Sequence, residues 1–116
     1  MNRLFFGQFV EHHVMGVQFA AFDETDRAVG FATLYFLPSS LSARTYCVLN
    51  DLFTTPECRG RGVARKLLGE AARYAKERGF ATLEWQTQKE NETAQRLYDR
   101  LGASKSAWYT YVWRTT

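Results

Sequence analysis

The chain has 116 residues, of which 46% are hydrophobic and 16% are aromatic. This length and composition predict one globular domain, residues 1–116, with a single aromatic-rich core, and they argue against a disordered chain. The net charge of +3 is spread along the chain instead of forming the clustered basic face that nucleic-acid binding requires, so we expect no nucleic-acid partner.

No apolar stretch approaches the length of a membrane span, and the first residues lack a secretory pattern. We therefore expect a cytoplasmic protein without a membrane partner. Cys47 and Cys58 have neither the paired spacing of a metal site nor the number that a disulfide framework needs. Adjacent His12 and His13 would point in different directions on a helix. We expect free thiols, histidines with surface or packing roles, and no metal.

The first third of the chain is predicted to form a short helix and a strand hairpin. Residues 4–12 are apolar on one side, which is typical of a small helix. Residues 14–22 and 29–37 are predicted strands on either side of a polar turn. Pro38-Ser39-Ser40 is expected to close the second of them.

The stretch 50–79 has the clearest pattern, that of a strand, a turn with glycines and an amphipathic helix. Residues 45–54 are largely apolar or β-prone, and Pro56 then stops the strand because it has no N–H to donate. From Val63 onward apolar residues recur at helical spacing while charged residues fill the opposite face. Gly79 is the predicted end of this helix.

Between the strand and the helix lies the turn Arg59-Gly60-Arg61-Gly62-Val63-Ala64. Its glycines let the backbone approach a ligand closely, and the first N–H groups of the helix lack intrahelical partners, which favours a phosphate group. The arginines add charge-assisted donors. Two glycines ahead of a helix also occur as plain turn residues. The turn lacks the Gly-Lys-Ser/Thr ending of nucleoside-triphosphate loops and the third glycine of the dinucleotide fingerprint.

The second half of the chain continues with a fourth strand, a second helix and a last strand. The strand at 81–86 is predicted to run parallel to the third, because a helix connects the two in a right-handed crossover. Asn91 is a good N-cap for a helix that ends at Gly102. The apolar stripe of this helix consists of Ala94, Leu97, Tyr98 and Leu101. Residues 108–113 are predicted to close the sheet.

Two of these segments carry a family resemblance. Arg59-x-x-Gly62-x-Ala64 resembles the acetyl-CoA pyrophosphate loop of the GNAT N-acetyltransferase superfamily, and Asn91-Glu92-Thr93-Ala94-Gln95-Arg96-Leu97-Tyr98-Asp99-Arg100-Leu101-Gly102-Ala103 is similar to its later helix. The resemblance covers the chain from about Val29 onward. Asn50-Asp51-Leu52-Phe53, with Trp108 and Tyr111, is most similar to the spermidine/spermine-acetyltransferase-like branch.

The resemblance implies an α+β fold (α/β three-layer) with a mixed, largely antiparallel twisted sheet flanked by helices. Domains of this family normally begin with a strand and a helix ahead of the element predicted at residues 4–12, and nothing in the sequence occupies them. We therefore expect either a shortened member or a partner chain that covers the exposed edge, most simply as a homodimer.

The resemblance also implies acetyl-CoA as co-substrate and a primary amine, on a small molecule or as an exposed amino group, as acceptor. In the family, backbone N–H groups of the loop hold the diphosphate, and the edge of a splayed strand pairs with the pantetheine arm and polarises the thioester carbonyl. The implied cofactor-binding residues here are Leu52, Phe53, Thr54, Arg59, Gly60, Arg61, Gly62, Val63, Ala64, Arg65, Asn91 and Ala94.

Tyr98 matches the tyrosine that protonates the departing thiolate in the family. A phenol with an ordinary pKa of about 10 can donate to a thiolate whose thiol titrates at about 8.5. The alternative is that Tyr98 only packs in its helix. For the base, polyamine-acetylating relatives commonly have Glu where Asn50 stands, and an amide cannot accept the proton of the amine. Asp51, Glu84 or a chain of waters are the remaining candidates.

Two other functions are compatible with the sequence. The first is a non-catalytic acyl-CoA-binding or interaction module, which would bind the cofactor without turning over any amine. The second is a small nucleic-acid-binding protein, a function that only the net positive charge supports. This function predicts an affinity for DNA or RNA that depends steeply on salt concentration.

Overall fold

The computed structural model of the chain describes residues 5–12, 16–39, 44–107 and 109–115. It divides the chain into two compact units, Met1–Gln86 and Thr87–Thr116. In the described part of the chain, neither helix is long and apolar enough to cross a membrane.

The first unit is a five-stranded sheet with one long helix. Its elements are β1 (Phe5–His12), β2 (Gly16–Phe22), β3 (Ala28–Ser39), β4 (Arg44–Thr54), a 3₁₀ turn (Pro56–Cys58), α1 (Val63–Glu77) and β5 (Leu83–Glu84). The strands lie in the order β1-β2-β3-β4-β5, antiparallel from β1 to β4 and parallel between β4 and β5. The predictions of a mixed, largely antiparallel sheet and of a parallel strand after α1 are confirmed.

The helix predicted at residues 4–12 is wrong, because β1 forms there. β1 pairs with β2 from Phe5↔Phe22 to His12↔Gly16. A helix of this length is marginal by itself, whereas pairing with β2 satisfies the backbone groups on one side of the segment, apart from an irregularity between Gln8 and Val10. Leu4, His13 and Val14 lie outside the described residues.

The strand predicted at residues 29–37 is two residues longer at its end, which falls within the predicted closing segment Pro38-Ser39-Ser40. β3 continues to Ser39 and pairs with β4 as far as Ser39↔Arg44. The pairing of β3 with β2 ends at Gly16↔Tyr35. Beyond this point β3 has a paired strand on one side only, and a proline, which has no N–H to donate, is tolerated there.

Helix α1 packs on one face of the sheet and forms the core with it. The ring of Tyr74 lies edge-on to Phe19 with centroids 5.2 Å apart. Gly30 permits the close approach of helix and sheet, because a Cβ there would lie 3.0 Å from Leu67 and 3.2 Å from Val63. The buried apolar side chains of this core include Val17, Phe19, Ala21, Ala32, Leu34, Phe36, Cys47, Leu49, Val63, Leu67, Leu68, Ala71, Tyr74 and Ala75. This packing fixes the start of α1 beside β3.

The second unit contains α2 (Glu92–Arg100). As predicted, Asn91 caps it, since its side-chain oxygen accepts from the Ala94 N–H over 3.2 Å. The side chain of Gln95 reaches back to the carbonyl of Lys89 over 2.8 Å and ties the preceding turn to the helix. Gly102, with φ of 85°, follows the end of α2.

Two predicted strands are shorter or absent. The strand at 81–86 is reduced to the two residues of β5. The strand predicted at 108–113 is wrong for residues 109–113, which belong to no helix or strand, and Trp108 lies outside the described residues. A strand needs a paired neighbour, and no described strand pairs with this segment. Tyr109, Tyr111, Val112 and Trp113 are consequently exposed.

Candidate functional site

A bulge in β4 sets the geometry around Asn50 and Asp51. In the pairing of β3 with β4, Thr33 faces Asp51 and Leu34 faces Leu49, so Asn50 is an extra residue without a partner. The amide of Asn50 donates to the Asp51 carboxylate over 3.2 Å. Both side chains are exposed. Bulges re-aim side chains and are common beside active sites.

The outer side of β4 is unpaired beyond this bulge. Among the described residues, β4 pairs with β5 only at Cys47↔Leu83 and Val48↔Glu84. Residues 50–54 therefore have a strand neighbour on the β3 side only, and we call their outer side the open edge. It contains Leu52, Phe53 and Thr54. The open edge leads directly into the turn before α1, since the N–H of Thr55 makes the last bond to β3, at Val29.

The turn before α1 has the backbone that its sequence predicts. Gly60 and Gly62 have φ of 79° and 80°, a left-handed conformation that glycine adopts without strain. Gly62 is the N-cap of α1 and provides no side-chain cap. By helix geometry the N–H groups of Gly62, Val63, Ala64 and Arg65 lack intrahelical acceptors. A Cβ at either glycine would meet nothing within 4 Å, so the surface of the turn is open.

Three exposed arginines surround this turn: Arg59, Arg61 and Arg65. The turn is held from below by Cys58, which is buried, and by the bond from the Arg61 N–H to its carbonyl over 3.3 Å. Cys58 and Cys47 are both free thiols, as predicted. The described residues contain no cluster of three or more histidine, cysteine or acidic side chains that could hold a metal ion.

The remaining predicted residues lie elsewhere. Asn91, Ala94 and Tyr98 lie in the second unit and share one face of α2, because they are three and four residues apart. Tyr98 is half-buried, and this burial raises the pKa of its phenol. Glu84 is exposed on β5 and is the register partner of Val48, three residues before Asp51. Tyr111 is exposed in the irregular segment after α2.

The sequence did not predict a cluster of side chains on the face of the sheet away from α1. The register places Gln18, Thr33 and Asp51 in one row across the strands, and Ala20, Phe31 and Phe53 in the next. We call these six residues the open face. A cavity of about 200 Å³ lies against it, with Gln18, Ala20, Phe31 and Phe53 in its lining. The only sequence signal was strand alternation, which puts Phe31 on the face opposite to that of its buried neighbours Gly30 and Ala32.

Comparison with known proteins decides the family. Residues 2–103 match the Acetyltransferase (GNAT) family. The chain belongs to this family. The resemblance found in the sequence is thereby confirmed at the level of the superfamily, while its spermidine/spermine-like branch stays a prediction.

Two relatives are similar to the chain in sequence, and one solved structure is similar to it in fold. The uncharacterized N-acetyltransferase YhfO of Bacillus subtilis is 34% identical over 77% of this chain and 60% of its own length. The D-amino-acid N-acetyltransferase HPA3 of Saccharomyces cerevisiae is 34% identical over 83% of this chain, again 60% of its own length. The chain thus spans about 60% of the length of these two relatives. The aminoglycoside N-acetyltransferase AAC(6')-Iy in complex with CoA shares the fold, with a TM-score of 0.75 at 22% identity over 88% of this chain and 68% of that chain.

Proposed function

We propose that this protein is an N-acetyltransferase that transfers an acetyl group from acetyl-CoA to a primary amine. One observation carries the proposal: the open edge of β4 is followed, after a single 3₁₀ turn, by a glycine turn at the N-terminus of α1. An unpaired strand edge offers backbone groups to an extended amide chain, and a helix N-terminus offers them to a phosphate group. The pantetheine arm and diphosphate of acetyl-CoA present these two chemistries in the same order.

The residues of the turn fit a diphosphate. The free donors of the turn are the N–H groups from Gly62 to Arg65, since the Arg61 N–H already donates to the Cys58 carbonyl. The exposed guanidinium groups of Arg59, Arg61 and Arg65 match the charge of the diphosphate. The space in front of Gly60 and Gly62 leaves the backbone accessible. Leu52, Phe53 and Thr54 would pair with the pantetheine arm, and a backbone N–H of this open edge would donate to the thioester carbonyl.

Proton transfer is assigned to Asp51 and Tyr98. The amine must lose a proton before it attacks, and the Asp51 carboxylate can accept one, with the amide of Asn50 fixing its orientation. We assign the proton of the departing thiol to Tyr98. Its burial raises the pKa of the phenol, so the hydroxyl stays protonated at neutral pH. Asn91 and Ala94 lie on the same face of α2 as Tyr98, and the family resemblance implies a role in cofactor binding for both.

Three finer assignments belong to the same proposal. The acceptor is a small-molecule amine, which is supported by the similarity to the D-amino-acid N-acetyltransferase of yeast. The two free cysteines support a reducing compartment, the cytoplasm. A homodimer is supported by Tyr35 and Leu37, which lie two residues apart on one face of β3 and are each 41% exposed.

Calorimetry with acetyl-CoA, followed by release of free CoA thiol in the presence of a panel of primary amines, tests the proposal. We expect saturable binding and turnover of at least one amine. Binding without turnover of any amine would identify a non-catalytic acyl-CoA module instead. Absence of binding at millimolar acetyl-CoA would refute both. Sedimentation at micromolar concentration tests the homodimer.

A further inference from the structure

The open face has an aromatic wall at one end. The rings of Phe31 and Phe53 stack across β3 and β4 with centroids 5.5 Å apart and planes at 28°. The ring of Phe53 is still 42% exposed, so it presents apolar surface to the cavity beside it. Ala20, Ala28 and Gly30 also line this cavity.

The other end of the open face is polar and carries a negative charge. Asp51 occupies the row next to Phe53, and same-face rows of a sheet are roughly 7 Å apart. Its neighbours in the row are Thr33 and Gln18, which bond to each other over 3.2 Å. Asp51 is therefore the one charged side chain among the six residues of the open face.

The aromatic wall and the carboxylate of Asp51 together indicate which kind of ligand would bind to the open face. A cationic amine next to Asp51 would be matched in charge, and an apolar group two or three carbons away would reach Phe31 and Phe53. The side chain of Phe53 is free for this contact even if its backbone pairs along the open edge, because side chains stand perpendicular to the strand plane.

We propose that this cavity selects the acceptor as a primary amine that carries an aromatic or branched apolar group on a two- or three-carbon link. The inference rests on the proposed function, because it assigns the acceptor of the same reaction. Phe31 is the residue that determines specificity, and Asp51 holds the amine. Polyamines carry no aromatic or branched apolar group, so they should bind poorly to the aromatic wall.

A matched pair of substrates tests the proposal. 2-Phenylethylamine and ethylamine have the same reacting group, so a pocket for the ring should raise kcat/KM for the first by at least about tenfold. Phe31→Ala should remove most of this preference, because it should lower kcat/KM for 2-phenylethylamine much more than kcat/KM for ethylamine. Phe31→Leu, which keeps an apolar side chain, should retain part of it. Tyr35→Ala is the control, since Tyr35 lies four residues further along β3 and does not line the cavity.

Binding provides a second readout that does not depend on turnover. In the presence of CoA, 2-phenylethylamine should bind wild-type protein at least about tenfold more tightly than the Phe31→Ala variant, with thermal unfolding confirming that both are folded. If no amine is acetylated but this difference in binding is found, the cavity stands and the proposed function fails. If amines are acetylated with equal kcat/KM for both substrates, the proposed function stands and the cavity is overturned. If 2-phenylethylamine neither binds nor is preferred as a substrate, the proposal for the cavity is overturned as well.

Discussion

The side-chain amide of Asn50 donates to the carboxylate of Asp51 over 3.2 Å, although the two residues are adjacent in a strand. Neighbouring strand residues normally point to opposite faces. The bulge at Asn50 breaks this alternation, and it leaves Asp51 on the open face opposite Thr33. Asn50 thus acts in our proposal through the orientation of Asp51.

Asp51→Asn is expected to lower kcat/KM by roughly 10²–10⁴ at neutral pH, the usual range for a positioned proton acceptor. The loss should shrink as the pH approaches the ordinary amine pKa of about 10.4, because the free amine then forms without a base. Initial rates between pH 7 and 10 measure both effects. Glu84→Gln is the matched control, and a larger loss in that variant would move the base to Glu84.

Reversal of charge at Arg59 combined with Gly62→Val should weaken acetyl-CoA binding by at least about tenfold, because the diphosphate loses a cation and the turn loses its geometry. A valine at φ of 80° is strained, although its Cβ would meet no atom within 4 Å. Calorimetry on the folded variant measures the dissociation constant.

Two changes on α1 control for this result. Gly69→Ala fills equally open space without a left-handed backbone and should raise helix stability by about 0.5–1 kcal/mol. Arg73→Glu removes the ion pairs with Glu70 and Glu77 about 15 Å along the helix from Val63. Neither should alter acetyl-CoA affinity, and an equal loss in Arg73→Glu would mean that the effect is only general electrostatics.

Tyr98→Phe removes one hydroxyl and keeps the ring. We expect kcat to fall by roughly 10²–10⁴ while acetyl-CoA affinity is retained, since the hydroxyl acts only when the thiolate departs. Because burial raises the pKa of Tyr98, the wild-type rate should not decline from loss of this proton until the pH exceeds about 10. Tyr111→Phe, at an exposed site in the same unit, is the control. Full turnover in Tyr98→Phe would reduce this tyrosine to a packing role.

Cys47 makes folding stability depend on pH. Its burial between the sheet and α1 raises the pKa of the thiol to about 11 from 9.0. In the unfolded chain the thiol ionises first, so the unfolded state binds fewer protons and the free energy of unfolding falls as the pH rises from 9 to 11. Denaturant titrations should show this slope in the wild type and a flatter one in Cys47→Ala. Parallel slopes would contradict the assignment.

The strongest parts of the fold could be predicted because their signals are local. Pro56, Gly62 and Gly79 each act on their own backbone, and they correctly bounded β4 and α1. Asn91 likewise caps α2 through a bond three residues away. The stretches 5–12 and 109–113 were assigned wrongly because strand formation depends on a distant partner, which is present for the first and absent among described residues for the second.

The open face could not be predicted for a different reason. The row that joins Ala20, Phe31 and Phe53 depends on strand register, and a one-residue slip would exchange the two faces of a strand. Register shifts occur after Ala21 and after Thr33, and the sequence gives no local sign of either. The contact between Asn50 and Asp51 follows from the second shift and was hidden for the same reason.

The open edge of β4 also has a consequence for handling the protein. Unpaired strand backbone is a template on which other chains can add strands, which leads to aggregation. A pantetheine arm lying along residues 50–54 would occupy the same backbone groups. Concentrated protein should therefore scatter more light on storage without CoA than with it, and a screen for crystallisation should begin with the CoA-saturated form.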